Sequence, residues 1–270
     1  MPNSPAQADP LFGTQKQSIL EIWDEMQRVQ VNFAFAQELS FYYTSPQWHA
    51  AKTVLDLGAG NGYYLGKLAA RFPDKAYHGI DISAEFIAIA EQENSRQNLS
   101  FSCSDLFTTE GAYDFVVARL LLQHLDDIPT ALERIARLTH PGGSLLIVDA
   151  HDPYRFFYPE LPEFIAFFAA YTAHELAAGR DRRVSSRIDT AIASNPAWRK
   201  EKSLQLLIPS TIVGNMELFT RTYTLLADLV EQAGELSYDF SNVKQKWLLW
   251  SERPDAFTQV GLNLIQLNRV

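Results

Sequence analysis

Apolar residues in the first half of the chain fall into short runs that alternate with stretches of helical periodicity. Most of the segments between the runs repeat apolar positions every three or four residues, which is typical of one face of a helix. Strands separated by helices of this length predict a parallel sheet with helices on both faces. The five runs that predict buried strands are Thr53–Leu57, Ala76–Ile80, Leu99–Cys103, Asp114–Ala118 and Ser144–Asp149.

The residues that precede the first strand predict a helical cap. Apolar side chains recur at alternating three- and four-residue steps from Ile19 to Phe33, and a second helical piece runs from Glu38 to about Tyr43. We expect residues 1–48 to pack as this cap on a core that starts at residue 49 and reaches residue 152.

The pattern changes after the fifth strand. Residues 153–200 are rich in aromatic side chains and are predicted to form a helical lid without any strand. Residues 201–270 are expected to complete the core. Their predicted elements are an extended segment at Leu204–Ile208, a helix at Met216–Ala233 and two terminal antiparallel strands at Leu236–Phe240 and Val260–Asn268. The predicted fold class is α/β, with a Rossmann-like, seven-stranded, mostly parallel sheet, an N-terminal helical cap and a helical lid inserted after strand five.

Composition narrows the range of partners. The 270 residues carry a net charge of −9, and no stripe of Lys or Arg supplies the basic face of an enzyme that acts on nucleic acid. The sequence shows no signal-peptide pattern and no apolar run long enough to cross a bilayer, and its single cysteine, Cys103, excludes an internal disulfide. We expect a cytoplasmic protein with a small-molecule partner, no nucleic-acid or membrane partner, and an oligomeric state that stays open.

The turn after the first predicted strand is rich in glycine and reads Asp56-Leu-Gly58-Ala-Gly60-Asn-Gly62-Tyr63. Glycines at a strand-to-helix turn let the backbone bend sharply and let a ligand lie against main-chain N–H groups. A dinucleotide-binding loop has a third glycine at the position of Tyr63. The G-x-G-x-G pattern therefore speaks against NAD(P) as the ligand.

Polar residues also follow the next three predicted strands. Asp81 follows the second strand, where a carboxylate can accept both hydroxyls of a ribose, and Asp105 follows the third, where it can bond an adenine amino group. The fourth strand runs into Arg119. Because ligands of open α/β sheets bind outside the carboxyl ends of the strands, these positions together predict one nucleoside-binding site.

With these motifs, the sequence resembles the class I S-adenosylmethionine-dependent methyltransferases, chiefly over Thr53 to Asp152. The phrase Arg119-Leu-Leu-Leu-Gln-His124-Leu is typical of members that methylate small molecules. The resemblance implies S-adenosyl-L-methionine as the cofactor and S-adenosyl-L-homocysteine as its product. The cofactor-binding residues that it implies are Asp56, Gly58, Ala59, Gly60, Gly62, Asp81, Ile82, Ser104, Asp105, Leu106, Ala118, Arg119 and Leu120.

Three side chains are candidates for catalysis. His151, at the end of strand five, faces the expected acceptor cleft and is the preferred general base, since imidazole titrates near neutral pH. His124 is the second candidate, with packing behind the helix start as the alternative, and Tyr42 is the third. Capping of the next helix is a simpler role for Asp152 than a metal pair with Asp149, so no metal is expected.

Aromatic residues of the lid and the cap are expected to line the acceptor pocket, with an ordinary core or an oligomer interface as the alternative. The pocket residues are Tyr43, Tyr154, Phe157, Phe164 and Phe168. The reaction implied is in-line S_N2 transfer of a methyl group to a small, largely apolar or aromatic acceptor of specialised metabolism. A cyclase or regulatory protein on the same fold is the alternative, and an NAD(P)-dependent oxidoreductase is less favoured.

Overall fold

A computed structural model of the chain describes residues 17–180, 184–234 and 236–270. Its helices are α1 (Ile19–Thr44), α2 (Pro46–Ala50), α3 (Tyr63–Arg71), α4 (Ala84–Glu93), α5 (Ile128–Arg137), α6 (Pro162–Ala177), α7 (Val184–Ala193), α8 (Asn215–Ala233) and α9 (Phe240–Ser251). Its strands are β1 (Thr53–Leu57), β2 (Ala76–Asp81), β3 (Leu99–Cys103), β4 (Tyr113–Arg119), β5 (Thr139–Ala150), β6 (Phe156–Tyr158), β7 (Trp198–Pro209) and β8 (Phe257–Arg269). None of the helices within these ranges has the length and apolar character needed to cross a bilayer.

The strands of the described residues form a single sheet in the order β3-β2-β1-β4-β5-β8-β6, with β7 paired to the other edge of β8. Strands β1 to β5 run parallel to one another. β8 runs antiparallel to β5, where Ile147 pairs with Ile265, and also antiparallel to β7. The α/β class and the mostly parallel Rossmann-like sheet are confirmed. Six of the seven predicted strands are present, and the other two strands of the sheet are β6, which pairs with β8 past the end of β5, and β7, which was predicted only as an extended segment.

Side chains of the central strands alternate between two apolar cores. Val116 and Ala118 of β4 belong to the core built with α5 and α7. Phe115 and Val117 of the same strand belong to the opposite core, which α1, α2 and α3 complete. Because successive side chains of a strand point to opposite faces, a strand buried on both faces reads as the continuous apolar run seen in the sequence.

Three details of the predicted secondary structure are wrong. The cap is not two helical pieces, because α1 runs unbroken to Thr44 from a capping box formed by Ser18 and Glu21. The predicted strand at Leu236–Phe240 is absent, since the Asp239 side chain accepts a hydrogen bond from the Asn242 N–H and starts α9 there. The segment predicted to be purely helical contains β6.

Part of the aromatic segment after β5 packs in an apolar core. Phe164 and Phe167 of α6 are fully buried, and Phe164 packs on Tyr223 of α8 and Trp247 of α9 with ring centres 4.6 and 5.0 Å apart. α7 packs in the core beside α5, on the opposite side of the sheet from α3. The ordinary-core alternative describes these side chains, and the role of the segment as a lid stays a prediction.

Candidate functional site

A cavity of about 570 Å³ lies at the carboxyl ends of the central strands. Asp56 of β1, Asp81 of β2, Arg119 of β4 and Ala150 of β5 all line it. α1 and α8 contribute its remaining walls, together with the middle of β8. This is the edge at which open α/β sheets bind their ligands.

The glycine loop between β1 and α3 forms one end of the cavity. Gly58, Gly60 and Gly62 have φ angles of +69°, +54° and +71°, a region that L side chains rarely adopt. The Gly60 N–H donates to Asp81 Oδ2 at 2.9 Å, which ties the loop to the end of β2. A Cβ on Gly60 would lie 2.2 Å from Gln27 Oε1 of α1. The glycines are thus needed for both the turn and the close approach of α1.

Polar side chains of α1 accept hydrogen bonds from this loop. The Asn61 N–H donates to Gln27 Oε1 at 2.9 Å, and Asn61 Nδ2 donates to Asp24 Oδ1 at 2.7 Å. Trp23 and Gln30 of the same helix also line the cavity. Sequence reasoning missed these residues, although a polar Gln beside the apolar stripe of a cap helix is a usable signal.

Asp81 is held in place at the end of β2 by backbone donors. Its Oδ2 accepts from the Gly60 N–H and its Oδ1 from the Ser83 N–H, each at 2.9 Å. A carboxylate has about four lone-pair sites, so each oxygen can accept another hydrogen bond from a ligand. This arrangement fits the two vicinal hydroxyls of a ribose.

Asp56 is a buried carboxyl group in the wall of the cavity. Burial raises the pKa of Asp56 to about 8, Arg119 opposes the rise, and the neighbouring carboxylates of Asp81 and Glu38 add to it. Asp56 is therefore largely protonated at neutral pH in this structure. A ligand ammonium group beside it would supply the positive charge that favours its ionised form.

Arg119, the last residue of β4, forms an ion pair with a residue of α1. Its Nη2 and Nε donate to Glu38 Oε1 at 2.9 and 3.1 Å, and both side chains are nearly inaccessible to solvent. The guanidinium lies 4.7 Å from the ring centre of Tyr64, whose hydroxyl is 2.7 Å from that of Tyr42. Tyr42 is consequently buried outside the cavity, and burial raises its pKa well above the ordinary value. The structure does not support Tyr42 as a catalytic residue.

The half of the cavity beyond β5 is mainly apolar and aromatic. Phe168, Tyr171, Phe219, Tyr223 and Val260 line it. Of these, the predicted set included only Phe168. Tyr43 is exposed beside Arg71, Tyr154 packs on His151 and donates to Gln205, and Phe157 and Phe164 are buried in the aromatic core. This half of the cavity is thus built from α6, α8 and β8, and the sequence did not place α8 there.

Both predicted histidines line the cavity. His151 Nδ1 lies 3.1 Å from Asn263 Nδ2 of β8, and its backbone N–H donates to the Gly261 carbonyl. Asp152 does not cap a helix, because its Oδ1 accepts from Arg155 Nη2 at 2.9 Å inside a short 3₁₀ turn. His151 is therefore fixed by β8 at the boundary between the two halves of the cavity.

Leu120 is the one residue other than glycine with a positive φ, +54°, among the described ranges. Its N–H donates to the Val148 carbonyl at 2.7 Å, and its own carbonyl accepts from Gln123 Nε2 at 3.3 Å. Both Leu120 and Gln123 line the cavity. Backbone strain of this kind persists where the surrounding structure holds it, often at a functional site.

Eight of the predicted cofactor residues line the cavity and five do not. The eight are Asp56, Gly58, Ala59, Gly60, Asp81, Ile82, Arg119 and Leu120. Of the others, Gly62 caps α3, Ala118 and Leu106 are buried in the core, and Ser104 bonds Thr109. Asp105 is exposed and accepts from the Phe107 N–H at 2.7 Å, which closes the turn after β3.

Comparison with known proteins shows what the sequence around this cavity is similar to. Residues 55–145 match the family described as a methyltransferase domain. Over 94 residues the chain is 36% identical to trans-aconitate 2-methyltransferase of Deinococcus radiodurans, which covers 35% of this chain and 36% of that protein. It is 27% identical over 95 residues to malonyl-[acyl-carrier protein] O-methyltransferase of Priestia megaterium, covering 34% of this chain and 35% of that protein.

The matched segment spans about a third of the length of these curated relatives. Among solved structures, a proposed methyltransferase of Bacillus halodurans C-125 has a similar fold, with a TM-score of 0.50 and 15% identity over 80% of this chain and 92% of that one. The matched residues contain the glycine loop, Asp81 and the end of β4. The segment around the glycine loop therefore matches a methyltransferase domain, in agreement with the resemblance to class I S-adenosylmethionine-dependent methyltransferases found from the sequence motifs.

Proposed function

We propose that this protein transfers a methyl group from S-adenosylmethionine to a small acceptor with a largely apolar or aromatic body. The observation that carries the proposal is one continuous cavity that joins the glycine loop, Asp56 and Asp81 to an aromatic pocket under α8. The name of one relative, which refers to trans-aconitate, also supports a small acceptor, and the name of the other refers to a malonyl group on an acyl-carrier protein. A role in specialised metabolism, a cytoplasmic location and a homo-oligomer stay predictions.

S-adenosylmethionine, when bound, supplies a methyl group on a positively charged sulfur that is open to in-line attack. The residues of this chain supply its surroundings. Asp81 is placed to accept the ribose hydroxyls, and the positive-φ glycines leave room for a ligand against the loop backbone. Asp56 would balance the charge of the amino group once it loses its proton. Asp105 lies outside the cavity lining and would act at the adenine only after the loop that follows β3 moves toward the ligand.

The acceptor half of the cavity would act by positioning and by excluding water. Holding two reactants in line can recover about 7–11 kcal/mol of an activation barrier. Phe168, Phe219 and Tyr223 supply rigid apolar walls for this purpose. His151, fixed by Asn263, is the group best placed to take a proton from an acceptor that is protonated before attack. His124, which is exposed at the rim, is the weaker candidate.

Methyl transfer can be separated from a cyclase or regulatory role by measuring S-adenosylhomocysteine production. Wild-type protein would be incubated with S-adenosylmethionine and chromatographic fractions of a small-molecule extract. We expect S-adenosylhomocysteine to form in an equal amount to one methylated product, and only in the fractions that contain the acceptor. Cofactor binding without product in any fraction would favour the alternative role on the same fold.

A further inference from the structure

Arg155 brings a cationic side chain into the aromatic half of the cavity. It follows the 3₁₀ turn Asp152–Tyr154 and lines the cavity beside Phe168, Tyr171 and Tyr223. Its guanidinium carbon lies 3.9 Å from the ring centre of Phe168 and 5.5 Å from that of Tyr223. When an arginine stacks on an aromatic ring, its N–H groups lie in the plane of the guanidinium, parallel to the ring, and point outward from the edges of the stack.

The hydrogen bonds of Arg155 leave part of the guanidinium unused. Nη2 donates to Asp152 Oδ1 at 2.9 Å and Nη1 donates to the Tyr223 hydroxyl at 2.6 Å. Nε is buried and has no hydrogen-bond partner among the described residues. Arginine has five N–H donors, and a buried charged donor without an acceptor is costly. Each terminal nitrogen carries a second N–H, and the side chain, which is 12% exposed, lines the cavity, so a ligand oxygen there could accept from the guanidinium.

Because many residues around Arg155 are apolar, its N–H groups can select a ligand by the oxygen atoms that the ligand carries. The residues that border the same half of the cavity include Val31, Phe33, Phe219, Leu226 and Val260, none of which carries a polar side chain. A binding pocket with apolar walls and a few fixed polar groups orients its ligand through those groups. Arg155 is such a group, and the neighbouring acid Asp152 reduces its net charge without occupying its remaining N–H groups.

We propose that Arg155 is a specificity-determining residue that binds a carboxylate or carbonyl oxygen of the methyl acceptor. The acceptor would then have an apolar body with an oxygen-bearing end, and the bond to Arg155 would fix the orientation of that end. The identification of the ligand as the methyl acceptor rests on the proposed function, whereas the oxygen-binding site itself can be tested by binding alone.

Three matched probes test the proposal in protein saturated with S-adenosylhomocysteine: 3-phenylpropanoate, its amide and propylbenzene. Calorimetry would compare wild type with Arg155→Met and with Arg253→Met, an exposed arginine paired with Asp255 as the control. We expect Arg155→Met to weaken the oxygen-bearing probes by about tenfold or more, as the loss of a charged hydrogen bond implies, and to leave propylbenzene unchanged. Arg253→Met should leave all three affinities unchanged.

The two oxygen-bearing probes separate the two kinds of group. Tighter binding of the acid identifies a carboxylate site, and tighter binding of the amide identifies a neutral carbonyl site. Equal affinity of all three probes in wild type, no binding of the oxygen-bearing probes, or equal weakening of all three in Arg155→Met would overturn the proposal. If Arg155→Met does not fold, Arg155→Gln gives a comparable test for the acid, because glutamine removes the charge and the guanidinium fork. Failure of S-adenosylhomocysteine to bind would instead count against the proposed function, and the probes would then be titrated alone.

Discussion

Glu38 and Arg119 form a nearly buried ion pair between α1 and the end of β4, in which Nε and Nη2 of Arg119 both donate to Glu38. Removal of one partner leaves a nearly buried charge without its counter-ion, which typically costs about 3–5 kcal/mol. We expect Glu38→Ala to lower the free energy of unfolding by that amount in urea denaturation. Because α1 also covers the glycine loop, the same variant should bind S-adenosylhomocysteine more weakly.

The same helix provides a control for this experiment. Glu25 pairs with Arg221 of α8, and the two side chains are 32% and 34% exposed. A pair at this exposure contributes about 1 kcal/mol or less, so Glu25→Ala should change the unfolding free energy only slightly. Equal losses of unfolding free energy in Glu25→Ala and Glu38→Ala would show that the Glu38–Arg119 pair stabilises the protein no more than an exposed pair does.

Gly60 and Gly142 test whether the glycine loop is needed for more than its backbone conformation. Both have positive φ, +54° and +80°, so alanine at either position carries a strain of about 1–3 kcal/mol. A Cβ added at Gly60 would lie 2.2 Å from Gln27 Oε1, whereas a Cβ added at Gly142 would have no atom of the described residues within 4 Å. We expect both variants to lose stability and only Gly60→Ala to lose S-adenosylhomocysteine affinity. Retained affinity in Gly60→Ala would place the cofactor elsewhere.

The raised pKa of Asp56 predicts that cofactor binding releases a proton. The group is largely protonated below its folded pKa of about 8, and a bound ammonium group favours its ionised form. The affinity for S-adenosylhomocysteine should therefore increase as the pH rises from 6 to 8. Calorimetry in buffers with different ionisation enthalpies should detect the released proton, and Asp56→Asn should abolish it. Wild-type binding heats that do not depend on the buffer would contradict this role.

The pKa of Asp56 also has a consequence for stability. Between the ordinary pKa of 3.8 and the folded pKa of about 8, an unfolded chain ionises this group while the folded protein retains the proton. The contribution of Asp56 to the free energy of unfolding is therefore full below the ordinary pKa, falls steadily as the pH rises, and is lost once the pH passes about 8. We expect Asp56→Asn to flatten the pH dependence of urea unfolding over this range. An unchanged dependence would mean that Asp56 is already ionised in the folded protein.

Asp81 and Asp105 were predicted from similar positions, but the structure gives them different surroundings. Asp81 lines the cavity with both oxygens fixed by backbone N–H groups, and Asp105 is an exposed residue that closes its own turn. We expect Asp81→Asn to weaken S-adenosylhomocysteine by about tenfold or more, since it removes a charged acceptor of two hydrogen bonds. Asp105→Asn should have a smaller effect. The opposite ranking would show that the loop after β3 rearranges to bind the adenine.

Local patterns in the sequence predicted the first five strands and the glycine loop because these features depend on neighbouring residues. Val116 and Val117 face opposite cores, and that produces the apolar run which marks β4. The acceptor pocket was less accessible to prediction. Phe219 and Tyr223 of α8 reach the cavity only through the packing of α8 against α1, about 200 residues distant in the chain. Such contacts depend on the tertiary fold rather than on periodicity.

The aromatic segment shows a related limit. Aromatic side chains at helical spacing suit both a core and a ligand pocket, and Phe164 and Phe168 on α6 illustrate the two outcomes. Arg155, a basic residue directly between aromatic neighbours, was the signal that sequence reasoning passed over. A charged residue amid aromatic neighbours is expensive to bury without a function or a partner.

Calorimetric titration of S-adenosylmethionine and S-adenosylhomocysteine into the wild-type protein, with NAD and NADP as controls, tests the central claim most directly. We expect micromolar binding of both adenosyl ligands with one site per chain, and no heat from either nicotinamide nucleotide. Binding of NAD or NADP in place of the adenosyl ligands would contradict the assignment of this cavity to a methyltransferase.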